Sequence, residues 1–336
     1  MYSRLHAEEP VGPSTISTGD LPAADLVRLA LLEAHERYAP VDDGTVADYI
    51  PALARAPRHL FGLCIAAADG TLLPCGDSGV AFSIQSISKP FVFALVCQAL
   101  GGGEARRRVG VNGTGLPFNS IMAIELNQMR TMNPMVNAGA IAATSLTPGG
   151  TAEAKWAFIQ EGLSRFAGRD LTLDTEVYES EAATNGRNRG IARLLHSYGR
   201  LYFDPDEATD VYTKQCALNV TVEDLAVMGA TLADGGVNPV TRERVLDPDR
   251  CKRVLAVMAT AGMYEQSGDW LYEVGLPGKS GVAGGIVTIA PGKGALGTFA
   301  PPLDQAGNSV RGQLATKFLS EKLGLNLFAS TERPVA

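Results

Sequence analysis

Strand patterns stand near the two ends of this chain, and most of what lies between them reads as helix. Phe61–Ala67 (FGLCIAA) is a short apolar run followed by Asp69-Gly70 and then TLLPCG. An Asp-Gly pair supplies the positive φ that a tight turn needs, so these runs predict a β-hairpin. Far along the chain, Val282–Ala290 (VAGGIVTIA), the turn Pro291–Gly294 (PGKG) and ALGTF predict a second. An isolated hairpin is only marginally stable in water. Two hairpins separated by helices therefore predict an α+β layout. One antiparallel sheet is assembled from both ends of the chain and flanked by helices, with an all-helical lobe inserted. The cleft where the two parts meet is the natural ligand site.

The helices carry their own boundaries. Val27, Ala30, Leu31, Ala34 and Tyr38 recur at helical spacing behind Pro22. An apolar helix opens at Gln85 or Ser86 and is stopped by Gly101-Gly102-Gly103. Thr151 begins a helix with Trp156, Ile159, Leu163 and Phe166 on one face, and Thr221-Val-Glu-Asp224 is a capping-box start before Leu225, Met228 and Leu232. Asp247-Pro248 opens another, which ends at Tyr264, and Arg311–Leu323 closes the fold. The expected organisation is a flexible tail over 1–20, one catalytic domain over 21–328 and a second tail over 329–336. Within the domain, the sheet lobe takes about 21–100 and 265–328, and the helical lobe about 101–264.

Composition removes several function classes. Apolar residues make up 46 % and charged residues 19 % of 336, enough for a sizeable core. The net charge of −7 and the lack of a basic tract argue against nucleic acid or a membrane surface as partner. The longest apolar stretch, Phe91–Leu100, is far short of the roughly 20 residues needed to span a bilayer, and the first residues lack the apolar core of a secretion signal. A cytoplasmic protein is expected. Cys64, Cys75, Cys97, Cys216 and Cys251 form no C-x-x-C, and His6, His35, His59 and His196 stand apart. No metal site is expected, and hydrolytic chemistry would need a base other than histidine.

Ser86-Ile-Ser-Lys89 heads the apolar helix. Residues three apart share a helix face, so a hydroxyl and an amine can meet there, beside the free N–H groups of a helix start. To accept a proton the amine must be neutral. That requires its pKa to fall by roughly three units from about 10.4, through burial or a neighbouring cation. Taken alone the motif also fits a capping serine and a solvated lysine. However, Lys279-Ser280-Gly281 stands directly before the late strand, and S-x-x-K followed by K-[ST]-G is the paired signature of serine acyl-transfer enzymes.

Six spaced blocks carry a closer resemblance. These are FSIQSISKP (82–90), NPMVNAGAI (133–141), Glu179-Ser180-Glu181 with Asn185-Gly186-Arg187-Asn188, TLADGGVNPVT (231–241), GLPGKSGVAGGI (275–286) and PPLDQAGNSVRG (301–312). Together they resemble the serine-dependent glutaminases, L-glutamine amidohydrolases related in fold to β-lactamases and penicillin-binding transpeptidases. The resemblance implies attack of Ser86 on the side-chain amide of glutamine, release of ammonia, and hydrolysis of a γ-glutamyl ester, with no cofactor. It implies Ser86 as nucleophile, Lys89 as its partner, Tyr264 beside the nucleophile, and Val282 as donor of an oxyanion N–H. It also implies substrate contacts from Tyr49, Gln85, Asn137, Glu181, Asn188 and Tyr212, besides Ser86, Tyr264 and Val282, and assembly as a homotetramer or dimer. The general base is either Lys89 or a Tyr264 whose pKa Lys89 has lowered.

These roles suit free glutamine. Its α-ammonium calls for an anion, Glu181, and its α-carboxylate for amide or hydroxyl donors such as Asn137, Asn188 and Tyr212. Read without the resemblance, Asn137 and Asn188 are equally turn residues in Gly-flanked loops. Tyr212 and Tyr264 are half-buried aromatics, and Glu181 is a solvated residue of a Glu-rich loop. Two alternative functions share the motifs: a penicillin-recognising serine hydrolase of the same fold, or a catalytically silent amino-acid-binding protein.

Overall fold

A computed structural model describes residues 19–127, 130 and 132–330. The expected tails therefore lie almost wholly outside the described residues. Helix α1 (Ala24–Tyr38) leads into strands β1 (Gly62–Ala67), β2 (Leu72–Gly76) and the two-residue β3 (Phe82–Ser83). A 3-10 turn at Gln85–Ile87 opens α2 (Ser88–Leu100), followed by α3 (Gly102–Val109), α4 (Met122–Leu126) and α5 (Asn137–Ser145). Next come α6 (Ala152–Ala167), α7 (Thr175–Thr184), α8 (Gly186–Ser197) and α9 (Pro205–Cys216). The short β4 (Asn219–Val220) precedes α10 (Val222–Ala233), α11 (Pro248–Ala261) and α12 (Ser267–Glu273). Strands β5 (Gly278–Ser280), β6 (Gly285–Ala290) and β7 (Gly294–Phe299) and helix α13 (Val310–Lys322) end the fold.

The sheet joins the chain ends as the two hairpins predict. Its order is β2-β1-β7-β6-β5, and every pairing is antiparallel. Side chains alternate across it with period two. Leu63, Ile65, Ile286 and Leu296 share a core with α1 and α13, whereas Cys64, Ala66, Val287 and Ile289 share one with α2, α10 and α11. The layer above the second face is tight. A Cβ on Gly229 of α10 would stand 2.6 Å from the Ala295 Cβ.

Helix boundaries follow local chemistry. Thr221 and Asp224 form the reciprocal capping box, and Thr151 caps α6. In α2, every residue from Ser88 to Cys97 is buried. A helix apolar all round belongs inside a fold, and this one carries Lys89 with it.

Three local readings need correcting. The α-helix begins at Ser88, because Gln85–Ile87 is a 3-10 turn entered through a left-handed Gln85 (φ 49°). The late strand begins at Gly285 rather than Val282. Gly281 N–H donates to Gly285 O, and Gly284 takes φ 108°, so Val282 and Ala283 sit in the turn between β5 and β6, and Lys279-Ser280 form strand β5 itself. Tyr264 does not end a helix. It opens a separate 3-10 turn after α11 stops at Ala261. Among the described residues no helix is long and apolar enough to cross a membrane, and all five cysteines are free.

Candidate active site

The approach to Ser86 is pinned across the chain. Strand β3 pairs with β4, and Ile84 N–H donates to Leu218 O at 2.8 Å. Below the turn, Ser88 Oγ donates to Gln85 O, Gln215 Nε2 to Ser88 Oγ, and Thr144 Oγ1 to Gln215 Oε1. This buried chain ties the start of α2 to α5 and α9. Satisfied networks of this kind fix one geometry.

At that start, Lys89 Nζ lies 2.9 Å from Ser86 Oγ and 2.7 Å from Asn137 Oδ1, to which it donates. Lys89 is 1 % exposed and makes no ion pair among the described residues. Burial brings its amine down to about 8, with the charge of Glu181 a smaller opposing influence. A hydroxyl thus touches, in a dry corner, an amine that gives up its proton far more readily than an ordinary lysine.

Asn137 and Asn188 are not loop residues. Asn137 is the first residue of α5, Asn188 lies in the first turn of α8, and Asn137 Nδ2 donates to Asn188 Oδ1 at 3.0 Å. Tyr212, buried in α9, donates its hydroxyl to Asn137 Oδ1 at 3.3 Å. Glu181 sits on α7 rather than in a loop, and it is 9 % exposed. Burial holds its carboxyl up to about 7, and the hydrogen bond from Gln85 Nε2, 3.4 Å from Oε2, pulls the other way.

Tyr264 lies against Phe118, ring centroids 4.8 Å apart, and donates its hydroxyl to Ser280 O at 3.0 Å. Its phenol is not lowered. Burial pushes it above its ordinary value, with hydrogen bonding to Ser86 opposing the rise. The rise keeps the Tyr264 phenol protonated at neutral pH, where it can donate a hydrogen bond. Its backbone, like that of Gln85, is a non-glycine residue in the left-handed region (φ 58°). Such strain persists only where the surroundings impose it.

Tyr49, Gln85, Ser86, Asn137, Glu181, Asn188, Tyr212 and Val282 all line one pocket of about 140 Å³. Tyr49 lines the pocket while remaining 54 % exposed as a residue. Two neighbours have no role in the sequence reading. Lys279 is fully buried, its amine donating to Ser280 O at 2.6 Å and standing 4.0 Å from the Tyr264 ring centroid. Arg187 lines the pocket beside Asn188. The K-S-G triplet and the sequence Asn185-Gly-Arg-Asn188 contained both, without a spacing that would single them out. Among the described residues, no group of three His, Cys, Asp or Glu side chains is placed to hold a metal ion.

Comparison with known proteins places this geometry in a family context. A family model described as Glutaminase matches residues 44–328. The chain is 60 % identical to "Glutaminase 2" of Yersinia pestis, over 94 % of this chain and 93 % of that protein. It is 49 % identical to a glutaminase of Brucella canis, over 92 % of this chain and 97 % of the other. Among solved structures, one described as a probable glutaminase superposes with a TM-score of 0.91 at 44 % identity, covering 92 % of this chain and all of its own. A probable glutaminase from Bacillus subtilis, complexed with 6-diazo-5-oxo-L-norleucine, superposes with a TM-score of 0.82 at 33 % identity, covering 96 % of this chain and all of its own.

Proposed function

The chain belongs to the glutaminase family, whose members hydrolyse L-glutamine to L-glutamate and ammonia, and we propose that Ser86 carries this reaction here as the nucleophile of an acyl-enzyme route. The observation that carries the proposal is the contact between Ser86 Oγ and a buried Lys89 amine whose pKa has fallen to about 8. A lysine in that state takes a hydroxyl proton near neutral pH.

Ser86 Oγ attacks the side-chain amide carbon while its proton passes to Lys89 Nζ. The C–O bond forms and the amide oxygen becomes an oxyanion. Its donors are the N–H of Ser86, in a helix start without an intrahelical acceptor, and that of Val282, in the turn after β5. As the C–N bond breaks, the nitrogen takes the proton from Lys89 and leaves as ammonia. Water then attacks the γ-glutamyl ester and gives a proton to Lys89, which returns one to Ser86 as glutamate departs. Tyr264, protonated throughout, steadies the Ser86 oxygen by turning its one hydroxyl proton from Ser280 O toward it. Glu181 receives the α-ammonium, and Tyr49, Gln85, Asn137, Asn188 and Tyr212 complete the substrate pocket.

This reading takes 21–328 as one catalytic unit, with the site between its sheet and helical parts. It takes the enzyme as a cytoplasmic homo-oligomer. The five free thiols support a reducing compartment, and sedimentation would measure the assembly. Neither penicillin recognition nor silent binding is favoured by any feature of the pocket.

The Ser86→Ala variant is expected to lose roughly 10³-fold or more of its ammonia release while keeping its melting temperature. In the unaltered enzyme, 6-diazo-5-oxo-L-norleucine should leave an adduct that mass spectrometry maps to Ser86. Near-normal turnover by the variant, or an adduct elsewhere, would overturn the assignment.

A further inference from the structure

Two lysines stand in the paired motifs of this chain, and only Lys89 has a part in the proton transfers. Lys279 is 0 % exposed and makes no ion pair among the described residues. A buried amine without a counter-charge is costly to keep, so its contacts indicate its use. Its Nζ donates to Ser280 O at 2.6 Å and stands 4.0 Å from the centroid of the Tyr264 ring.

The same carbonyl is the partner of the Tyr264 hydroxyl, at 3.0 Å. Strand β5 is an edge of the sheet. Its ladder bonds include Ile289 N–H to Pro277 O and Gly281 N–H to Gly285 O. Hydrogen-bonded positions alternate along an antiparallel pair, so Ser280 turns its carbonyl away from β6. Buried and off the ladder, Ser280 O has two donors among the described residues, Lys279 and Tyr264. The rest of Tyr264 is held in place. Ser267 Oγ donates to Tyr264 O at 2.7 Å and accepts from Met263 N–H at 3.1 Å, and Phe118 lies against the ring. What can turn is the hydroxyl proton, by rotation about the C–O bond, and Ser86 is its other partner.

We propose that Lys279 is a positioning residue that keeps Ser280 O satisfied while the Tyr264 hydroxyl turns to Ser86 Oγ. The proposal rests on the glutaminase reading. Without the amine, that turn would strip a buried carbonyl of its last donor. The hydroxyl would then stay on Ser280 O, and the Ser86 oxygen would lose its support. No proton is transferred in this step: the Tyr264 O–H bond rotates and stays whole. In the resting site Tyr264 still serves the carbonyl, so the fold does not depend on the amine. Lys279 is not among the residues lining the substrate pocket, and its effect is on rate rather than on binding.

The test is a double-mutant cycle of Lys279→Met with Tyr264→Phe, read as kcat and KM for L-glutamine. Lys279→Met should lower kcat roughly ten- to hundredfold, the effect of one buried acceptor left unpaired in the transition state. KM should stay within about twofold, and the melting temperature should be kept. Added to Tyr264→Phe, the same substitution should change kcat by less than about twofold, because no hydroxyl remains to be released. Where turnover is too slow, the rate at which 6-diazo-5-oxo-L-norleucine labels Ser86 gives the same cycle. Should Lys279→Met not fold, Lys279→Leu takes its place. Equal losses in the two backgrounds, no loss in the single variant, a loss confined to KM, or a Tyr264→Phe enzyme as fast as the unaltered one would overturn the proposal. Ammonia release by the unaltered enzyme, and its dependence on Ser86, report separately on the reading beneath it.

Discussion

Asn137 Oδ1 accepts a 2.7 Å hydrogen bond from Lys89 Nζ, the amine that lies 2.9 Å from Ser86 Oγ. An amide oxygen in that place orients the amine without adding charge. A carboxylate there would hold a proton on the amine.

Asn137→Asp is therefore expected to raise the pKa of Lys89 by roughly one to three units, the usual effect of an adjacent opposite charge. The acid limb of kcat/KM against pH should move up by that interval. Activity at pH 7 should fall at least tenfold and recover in part toward pH 10. A loss that does not change with pH would mean that Asn137 acts only on substrate.

Lys89→Met separates catalysis from stability. The folded-state pKa near 8 lies below the ordinary 10.5. Between these values the unfolded chain holds a proton that the folded chain has released, so stability rises with pH across that window. Below it both states are protonated, and the full penalty of burying the charge is present. The variant should lose turnover by orders of magnitude yet be more stable at pH 7, by up to about 3 kcal/mol, with the gap closing toward pH 10. Thermal unfolding at the two pH values would show it.

Glu181 is held up to about 7 by burial, so in the empty site it loses its charge as pH falls through that value. KM for glutamine should rise on the acid side as the partner of the ammonium disappears. Glu181→Gln should raise KM roughly ten- to hundredfold and flatten its dependence on pH. Initial-rate kinetics from pH 6 to 9 would test both points. A KM profile unchanged by the substitution would remove Glu181 from the site.

Gly229→Ala tests the tight layer between α10 and the sheet. The added methyl would stand 2.6 Å from the Ala295 Cβ and 2.8 Å from Val287 Cγ2. Overpacking should destabilise the fold by about 1–3 kcal/mol, despite alanine's better helix propensity. Because α10 contributes no side chain to the pocket, KM should not change. A melting temperature equal to or above that of the unaltered protein would show that the helix can slide.

The sheet was legible because Asp69-Gly70 and Pro291–Gly294 are strong local turn signatures, and its alternation agrees with the sides that Leu63 and Cys64 face. The S-x-x-K pair was legible because spacing alone puts Ser86 and Lys89 on one face. What escaped was set by distance. β3 and β4 are two residues each and carry no period-two pattern, so nothing local marks them. Glu181 looked like a solvated loop residue because its burial comes from elements far away in sequence, such as the turn at Gln85. The raised phenol of Tyr264 likewise follows from burial, which composition cannot register. The turn at Val282 was hidden in an apolar run that resembles continuous strand, where Gly281 and Gly284 break the ladder.

The short ladder between β3 and β4 has a consequence for biosynthesis. The hydroxyl and amine of the S-x-x-K pair emerge from the ribosome early, but the register that aims them is supplied by Leu218–Val220, and the sheet beneath them closes only when β7 meets β1. Such non-local pairing is slow, because loop-closure entropy must be met before the contacts return anything. A nascent chain thus carries the S-x-x-K pair unaimed until β7 has been made, and the geometry of the pair is fixed with that strand.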